Sequence, residues 1–138
     1  MIVIAGMWEL GWNTPIKEID LWQYPLRDFG IDDFYMVPIS GIKSKKVKEK
    51  PTLKSVIEEN KNLKIIFVTE GGEYSLQEFK HPENALYIFG KTNYSPFNNM
   101  KIKDSISLKI ETKLNGGMLW GHQAASIVLY DRMVKEWR

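Results

Sequence analysis

The C-terminal third of the chain decides the fold. It reads SISLKI (residues 105–110), ETKLNGG (111–117) and MLWGHQAASIVLYDR (118–132). The first run is a short apolar strand, the second is a polar turn with two glycines, and the third opens a helix rich in small residues. In open parallel sheets, ligands bind where such turns leave the carboxyl ends of the strands. The stretch therefore predicts an α/β protein with a ligand site beside this turn.

Short apolar or β-branched runs recur along the chain in the manner of parallel strands buried on both faces. Five strands are predicted, at residues 1–5, 34–37, 63–68, 85–89 and 106–110. We therefore expect a single α/β domain over residues 1–138, built on a parallel sheet of five to six strands with helices on both faces.

Helix signals fill the gaps between these strands. Thr14 and Pro15 form an N-cap and first helical position, Gly30 marks a stop, and Pro25 predicts a kinked or two-piece helix between them. A second helix is expected at 52–60, and Ser75-Leu76-Gln77-Glu78 has the capping-box spacing of a short third one.

The composition narrows the classes of function. The 138 residues include no cysteine, which excludes disulfides, thiol nucleophiles and thiolate zinc sites. The only histidines are His81 and His122, in no metal motif, so we expect no bound metal. A net charge of +2 does not by itself indicate a nucleic-acid partner. The apolar start has no basic flank, which predicts a first strand and a cytoplasmic protein rather than a signal peptide.

One basic run, KSKKVKEK at 43–50, interrupts the globular pattern. Its simplest interpretation is a solvated, mobile loop. The alternative is a basic arm that contacts RNA phosphates through Lys43, Lys45, Lys46 and Lys48. Three tryptophans leave a similar choice between packing in the core and stacking on unpaired bases; they are Trp8, Trp12 and Trp22.

Three loops follow predicted strands and could share one site, at residues 69–73, 90–93 and 111–117. Two of them contain paired glycines, which permit close approach of the backbone to a ligand. The alternative, that these glycines only make turns, stays open.

The last helix is apolar on more faces than packing on one sheet requires. One stripe contains Ile127, Tyr130 and Trp137, and an adjacent small-residue face contains Gly121 and Ala125. The extra apolar face suggests a homodimer that pairs through this C-terminal helix.

Three segments together resemble the SpoU-like branch of the SPOUT superfamily, the knotted RNA methyltransferases. They are WNTP (12–15) with FGIDD (29–33), ALYIFG (85–90), and the C-terminal stretch from 105 to 132. The resemblance implies a C-terminal trefoil knot, S-adenosyl-L-methionine (SAM) as cofactor, tRNA or rRNA as substrate, and a homodimer.

The three loops and the resemblance together indicate the site residues, with Ile110 and Leu119 at positions where the family has aliphatic residues in its pocket. The cofactor would lie on Thr69, Glu70, Gly71, Phe89, Gly90, Lys91, Ile110, Leu114, Met118 and Leu119. Five groups could serve in catalysis, and the sequence does not choose among them: Glu70, Glu73, Glu111, His122 and Arg27. We take Arg27, Glu111 and His122 as the candidates. His122 near a helix start would tend to be neutral and able to accept a proton.

The chain departs from the family pattern at three positions. The family's first-motif arginine falls at Tyr24, its second-motif glutamate at Thr92, and its Ser-Leu-Asn is Met118-Leu119-Trp120 here. Three hypotheses follow: a SAM-dependent RNA methyltransferase with an unusual active site, a SAM-binding or RNA-binding knotted dimer without activity, or an unrelated α/β nucleotide-binding protein. No Gly-x-Gly-x-x-Gly or Walker motif supports the third.

Overall fold

A parallel sheet organises the chain. The computed structural model describes residues 1–9, 15–91, 102–113 and 119–137, apart from the side chains of Tyr24 and Pro25. The elements in chain order are β1 (Ile2–Met7), α1 (Pro15–Asp28), β2 (Asp33–Val37), β3 (Lys48–Glu49), α2 (Leu53–Glu59), β4 (Lys64–Val68), β5 (Tyr74–Ser75), a 3-10 turn (Leu76–Glu78), β6 (Ala85–Phe89), β7 (Ile106–Lys109) and α3 (Gly121–Glu136).

The described strands form one seven-stranded sheet in the order β3-β2-β1-β6-β4-β7-β5, and every pairing is parallel. All five predicted strands are confirmed. The expected count of five to six is too low because β3 and β5 have only two residues each. Two residues are too few to show a hydrophobic period, so their strand state depends on neighbours distant in sequence.

Helices cover both faces of the sheet, as predicted. Alternate side chains of β1 point to opposite faces, so Ile4 joins one apolar cluster and Val3 joins the other. The first cluster contains the buried sides of α1 and α3, and the second contains α2. Among the described residues, no helix has the length and apolar character needed to cross a membrane.

The helix ends follow their sequence signals in part. Gly30, at φ +69, ends α1 as predicted: its N–H donates to the Arg27 carbonyl at 3.3 Å, and the N–H of Ile31 donates to the Leu26 carbonyl at 3.3 Å. The helix continues through Pro25, so the predicted division into two pieces is wrong.

The two shorter elements differ in their capping. Thr52 caps α2, and its hydroxyl accepts a hydrogen bond from the Ser55 N–H at 3.2 Å. The capping box predicted at Ser75 is wrong, since this side chain makes no cap hydrogen bond and the element is a single 3-10 turn.

One crossing shapes the end of the sheet where β7 lies between β4 and β5. Leu108 of β7 pairs with Val68 on one side and with Tyr74 on the other. Residues 69–73, which join β4 to β5, must therefore pass over β7. The crossing is fixed by two hydrogen bonds, from the Thr69 N–H to the Leu108 carbonyl at 2.9 Å and from the Glu73 N–H to the Ser107 hydroxyl at 2.9 Å.

Gly72 makes the crossing possible. A Cβ atom at this position would lie 2.4 Å from the carbonyl carbon of Leu108 and 2.6 Å from the backbone nitrogen of Lys109. Backbone atoms cannot rotate away as a side chain can, so any larger residue forces the two segments apart. Gly71, the preceding residue, has open space around the equivalent position.

We predict that Gly72→Ala destabilises the protein by about 1–3 kcal/mol or more, the usual cost of overpacking. Gly71→Ala should change the free energy of unfolding by no more than about 0.5 kcal/mol, as surface substitutions usually do. Urea denaturation of both variants, followed by circular dichroism, makes the comparison. Equal stability of the two would contradict the tight crossing.

Candidate functional site

A cavity of about 460 Å³ opens at the carboxyl ends of β4 and β7, beside the start of α3. Its volume is within the range of small-molecule sites. The lining residues come from the crossing segment, the end of β7 and the start of α3: Val68, Thr69, Glu70, Lys109, Ile110, Glu111, Thr112, Leu119 and Ala124. We call it the carboxyl-end cavity.

The structure brings part of the predicted cofactor set together. The predicted residues that line the carboxyl-end cavity are Thr69, Glu70, Ile110 and Leu119. Four other predicted residues do not line it: Gly71, Phe89, Gly90 and Lys91. Leu114 and Met118 lie outside the described residues.

The end of β6 instead packs against α3. The Gly90 carbonyl oxygen would lie 3.4 Å from a Cβ atom on Gly121, the first residue of that helix. Four lining residues were not predicted: Val68, Lys109, Thr112 and Ala124. The first three directly adjoin predicted ones, so the strand ends were the available signal; Ala124 becomes recognisable only once α3 is placed.

The cavity wall combines apolar and charged groups. Val68, Ile110 and Leu119 supply aliphatic surface, while Glu70, Glu111 and Lys109 supply two carboxylates and an amino group. Such a wall suits a ligand with an apolar body, hydroxyl groups that can donate to carboxylates, and charged ends.

The three candidate catalytic residues lie in different places. Glu111 lines the carboxyl-end cavity. Arg27 does not, because α1 runs back from the carboxyl ends of the strands and ends near the start of β2. Within one chain, Arg27 and Glu111 therefore line different cavities.

His122 is the second residue of α3 and does not line the cavity. Its ring packs edge-on against Trp22 and Trp120, with centroids 6.2 and 5.5 Å away. Its Nε2 atom is buried and has no hydrogen-bond partner among the described residues. Burial lowers the pKa of His122, and the nearby Glu9 opposes the shift. The expected neutral state of this histidine agrees with that direction.

Two of the three tryptophans considered for stacking on RNA bases belong to the core. Trp8 and Trp22 are buried, which removes them as platforms for RNA bases, and Trp12 lies outside the described residues. Trp22 lies between Gly6 and Gly121, where an added Cβ atom would lie 2.6 and 2.8 Å from the indole ring.

A second cavity, of about 440 Å³, lies at the amino end of β2. It is lined by the end of α1, the start of β2 and the basic run: Gln23, Leu26, Arg27, Gly30, Ile31, Asp32, Asp33, Phe34, Lys45, Lys46, Val47 and Lys48. We call it the amino-end cavity. It brings three of the four predicted RNA-binding lysines together with Arg27, while the exposed Lys43 stays outside.

The basic run is anchored at several points, which sequence reasoning missed. Val47 is buried in the core. Lys48 belongs to β3 and its Nζ lies 3.1 Å from Asp33, whose hydrogen bond is the main cause that raises the pKa of Lys48. Lys50 lies 2.6 Å from Glu59. The segment is therefore not a free loop along its whole length.

A buried polar cluster fastens α3 to the loop before β6. His81 Nε2 lies 2.7 Å from the Asp131 carboxylate and His81 Nδ1 lies 2.7 Å from the Tyr87 hydroxyl, which also accepts from Arg132 at 3.0 Å. Lys135 reaches Asp131 at 2.8 Å and donates to the Phe79 carbonyl at 2.8 Å. We call this set the α3 clamp.

Burial shifts the pKa values of two residues in the α3 clamp. Desolvation lowers the pKa of His81 although Asp131 opposes it, and burial raises the pKa of Tyr87 to about 12. A neutral His81 then donates a hydrogen bond from Nε2 to the Asp131 carboxylate and accepts one at Nδ1 from the Tyr87 hydroxyl. The residues of the clamp are far apart in the chain, so no local motif announces it.

Both histidines predict a loss of stability in mild acid. Their folded-state pKa values lie below the ordinary 6.5, so between those values and about pH 6.5 the unfolded chain binds protons that the folded chain does not. The free energy of unfolding should fall as the pH drops from 7.5 to 5.5. Each histidine should contribute at most about 1.4 kcal/mol for each pH unit. Urea denaturation across this range measures it; constant or rising stability would contradict the pKa directions.

Solved structures resemble this chain over nearly its whole length. One, determined for the 2-OH methylation of C/U34 on tRNA, has a TM-score of 0.76 at 12% identity, with 99% of this chain and 97% of that chain covered. The SpoU methyltransferase AviRb from Streptomyces viridochromogenes, in complex with AdoMet, has a TM-score of 0.76 at 12% identity, with 99% and 60% covered. TrmJ from Z. mobilis ZM4 has a TM-score of 0.66 at 14% identity, with 95% and 67% covered.

No family model and no curated relative matches the sequence. The resemblance noted in the sequence is thus confirmed for the fold. The chain has the α/β fold of the SpoU-like RNA methyltransferases.

Proposed function

We propose that this protein is a SAM-dependent RNA methyltransferase of SpoU-like type that acts in the cytoplasm and holds its cofactor in the carboxyl-end cavity. The observation that carries the proposal is the position of this cavity, where the crossing segment and the end of β7 meet the start of α3. Ligands of open parallel sheets bind at this edge. A neighbour with the same fold binds AdoMet, which supports the choice of ligand.

The lining groups fit SAM by their chemistry. Aliphatic side chains of Val68, Ile110 and Leu119 would contact the adenine ring, and Glu70 would accept hydrogen bonds from ribose hydroxyls. Lys109 suits the carboxylate of the methionine portion. When bound, SAM supplies an electrophilic methyl group on a sulfonium; the protein must hold the RNA nucleophile in line with it and accept the nucleophile's proton.

Glu111 is the group we propose as proton acceptor, because it is the predicted catalytic residue that lines the cavity. His122 is a second candidate, since its lowered pKa favours the neutral ring and its Nε2 atom has no partner in the part of the chain that the structure describes. We also retain Gly71, Phe89, Gly90 and Lys91 as residues that would approach the cofactor once it is bound. Arg27 remains a catalytic candidate on the resemblance alone, because it lines the amino-end cavity instead.

A catalytically inactive SAM-binding or RNA-binding dimer is the alternative. The observation that favours it is the lining of the carboxyl-end cavity. Among the described residues, this lining includes no arginine to stabilise developing charge, and Lys109 is its one cation.

The trefoil knot is part of the proposal. The passage of residues 69–73 over β7 supports it, since this segment closes a loop around an inserted strand. The remainder of the path runs through residues outside the described ranges.

The homodimer is supported by an uncovered apolar surface on α3. Ile127, Tyr130 and Trp137 are 38%, 55% and 74% exposed, while the opposite side of the helix is buried. Tyr130 also packs edge-on against Phe29, with ring centroids 6.3 Å apart, which extends the surface toward the end of α1. A second copy of the chain would remove this surface from water.

The first test of function is methyl transfer from labelled SAM to bulk tRNA and rRNA. We expect transfer by the wild-type chain and a loss of about 10²-fold or more in Glu111→Gln, the usual worth of a general base. SAM affinity, measured by calorimetry, should change little because the substitution keeps the side chain's shape. Glu73→Gln is the matched control, since Glu73 belongs to the crossing segment but does not line the cavity.

The outcomes separate the hypotheses. SAM binding without methyl transfer to any RNA would support the inactive alternative. Absence of SAM binding at millimolar cofactor would reject the methyltransferase and the SAM-binding dimer, and would leave only an RNA-binding dimer. Equal losses in Glu111→Gln and Glu73→Gln would remove Glu111 from the reaction.

The dimer is tested by sedimentation velocity at micromolar concentration. We expect a dimeric wild-type chain and a monomeric Ile127→Glu variant, because association would bury an unpaired carboxylate. Ile39→Glu, which places the same change at an exposed isoleucine away from α3, should remain dimeric. A wild-type chain that sediments as a monomer refutes the proposed interface.

A further inference from the structure

The amino-end cavity is built to hold a charged ligand over an apolar floor. Leu26, Phe34 and Val47 are buried side chains of the first apolar cluster and form this floor. The rim carries charges from α1, the start of β2 and the basic run. At about 440 Å³, the cavity is within the range of sites for molecules of nucleotide size.

Some of these charges are already paired within the protein. Lys48 and Asp33 form an ion pair at 3.1 Å. Lys45 and Lys46 are exposed and form no ion pair with any described residue, so their ammonium groups are available to an anion.

The rim lysines are held in place rather than carried on a free arm. Val47, the next residue after Lys46, is buried, and the Lys46 N–H donates to the Ser44 hydroxyl at 3.2 Å. A rigid attachment lowers the entropy lost when these cations bind an anion.

Asp32 adds a hydrogen-bond acceptor beside these cations. Its Oδ2 atom accepts a hydrogen bond from the Ile2 N–H at 2.7 Å, which fixes the carboxylate. The other oxygen accepts no hydrogen bond from the described residues. A carboxylate at the rim disfavours a bare polyanion but accepts a hydrogen bond from a hydroxyl group. The cavity therefore combines sites for a phosphate and for a nearby hydroxyl.

We propose that the amino-end cavity binds one ribose-phosphate unit of RNA, with the phosphate at Lys45 and Lys46 and the ribose 2′-hydroxyl donating to Asp32. The inference rests on the proposed function for the choice of RNA as the polymer. Lysine contacts to phosphates give affinity without sequence information. The 2′-hydroxyl is the group by which a protein distinguishes RNA from DNA, and Asp32 supplies that discrimination here.

The cavity lies at the opposite end of the sheet from the proposed cofactor site. β2 has five residues, which span roughly 17 Å at about 3.3 Å per residue. The bound unit is therefore remote from the methylated nucleotide. Its loss should raise the KM for RNA and leave kcat unchanged.

Binding of a fluorescent RNA oligonucleotide and of DNA with the same sequence tests the proposal, without SAM and at several salt concentrations. Asp32→Asn should lower the ratio of RNA affinity to DNA affinity about tenfold, the worth of a hydrogen bond to a charged group, and should not weaken DNA binding because it removes a negative charge from the rim. The asparagine oxygen can still accept from Ile2. The double substitution Lys45→Ala with Lys46→Ala should weaken the binding of both RNA and DNA. It should also reduce the salt slope by roughly 1.4 units, about 0.7 per contact.

Lys54→Ala with Lys61→Ala is the matched control. It removes the same charge from α2 and the turn that follows it, on the opposite face of the sheet, and should leave RNA binding and the salt slope close to wild type. Urea denaturation of each variant identifies any loss of folding.

Three results would overturn the proposal. An unchanged RNA-to-DNA ratio in Asp32→Asn excludes the ribose contact, and an unchanged slope in the lysine variant excludes the phosphate contact. If micromolar AMP displaces RNA from the wild-type protein but not from the variant with Lys45→Ala and Lys46→Ala, the cavity is assigned to a free nucleotide instead. SAM calorimetry reports separately on the proposed function, so failure of one does not imply failure of the other.

Discussion

The contact of Gly72 with the backbone of β7 is the constraint on which the rest of the structure depends. Because position 72 carries no side chain, residues 69–73 can pass over β7 and let β5 pair on its far side. The same crossing places the end of β4 next to the residues that leave β7. The carboxyl-end cavity lies between them, so the candidate site is a direct consequence of the crossing.

The position of α3 completes that site. Near its start, Gly121 leaves room for Trp22 of α1, and Leu119 and Ala124 lie at the cavity wall. At its other end the α3 clamp joins Asp131 to His81 and Lys135 to the carbonyls after β5. The helix is thus held near its start against α1 and at its other end against the segment that follows β5, which keeps the geometry of the cavity defined.

Sequence patterns predicted what depends on local chemistry. The five longer strands and the glycine stop at Gly30 are each encoded within a few residues. β3, β5 and the α3 clamp depend on partners far along the chain, so no local period reveals them. Arg27 was predicted as a catalytic candidate, yet the length of α1 places it at the other end of the sheet. The burial of Val47 could not be predicted because lysines surround it in the sequence.

A crystal structure of the chain with SAM tests the central claim most directly. The account predicts cofactor density in the carboxyl-end cavity, in contact with Thr69, Ile110 and Leu119, and a chain path that threads β7 through the loop closed by residues 69–73. Cofactor density in the amino-end cavity, or an empty carboxyl-end cavity at saturating SAM, would contradict it.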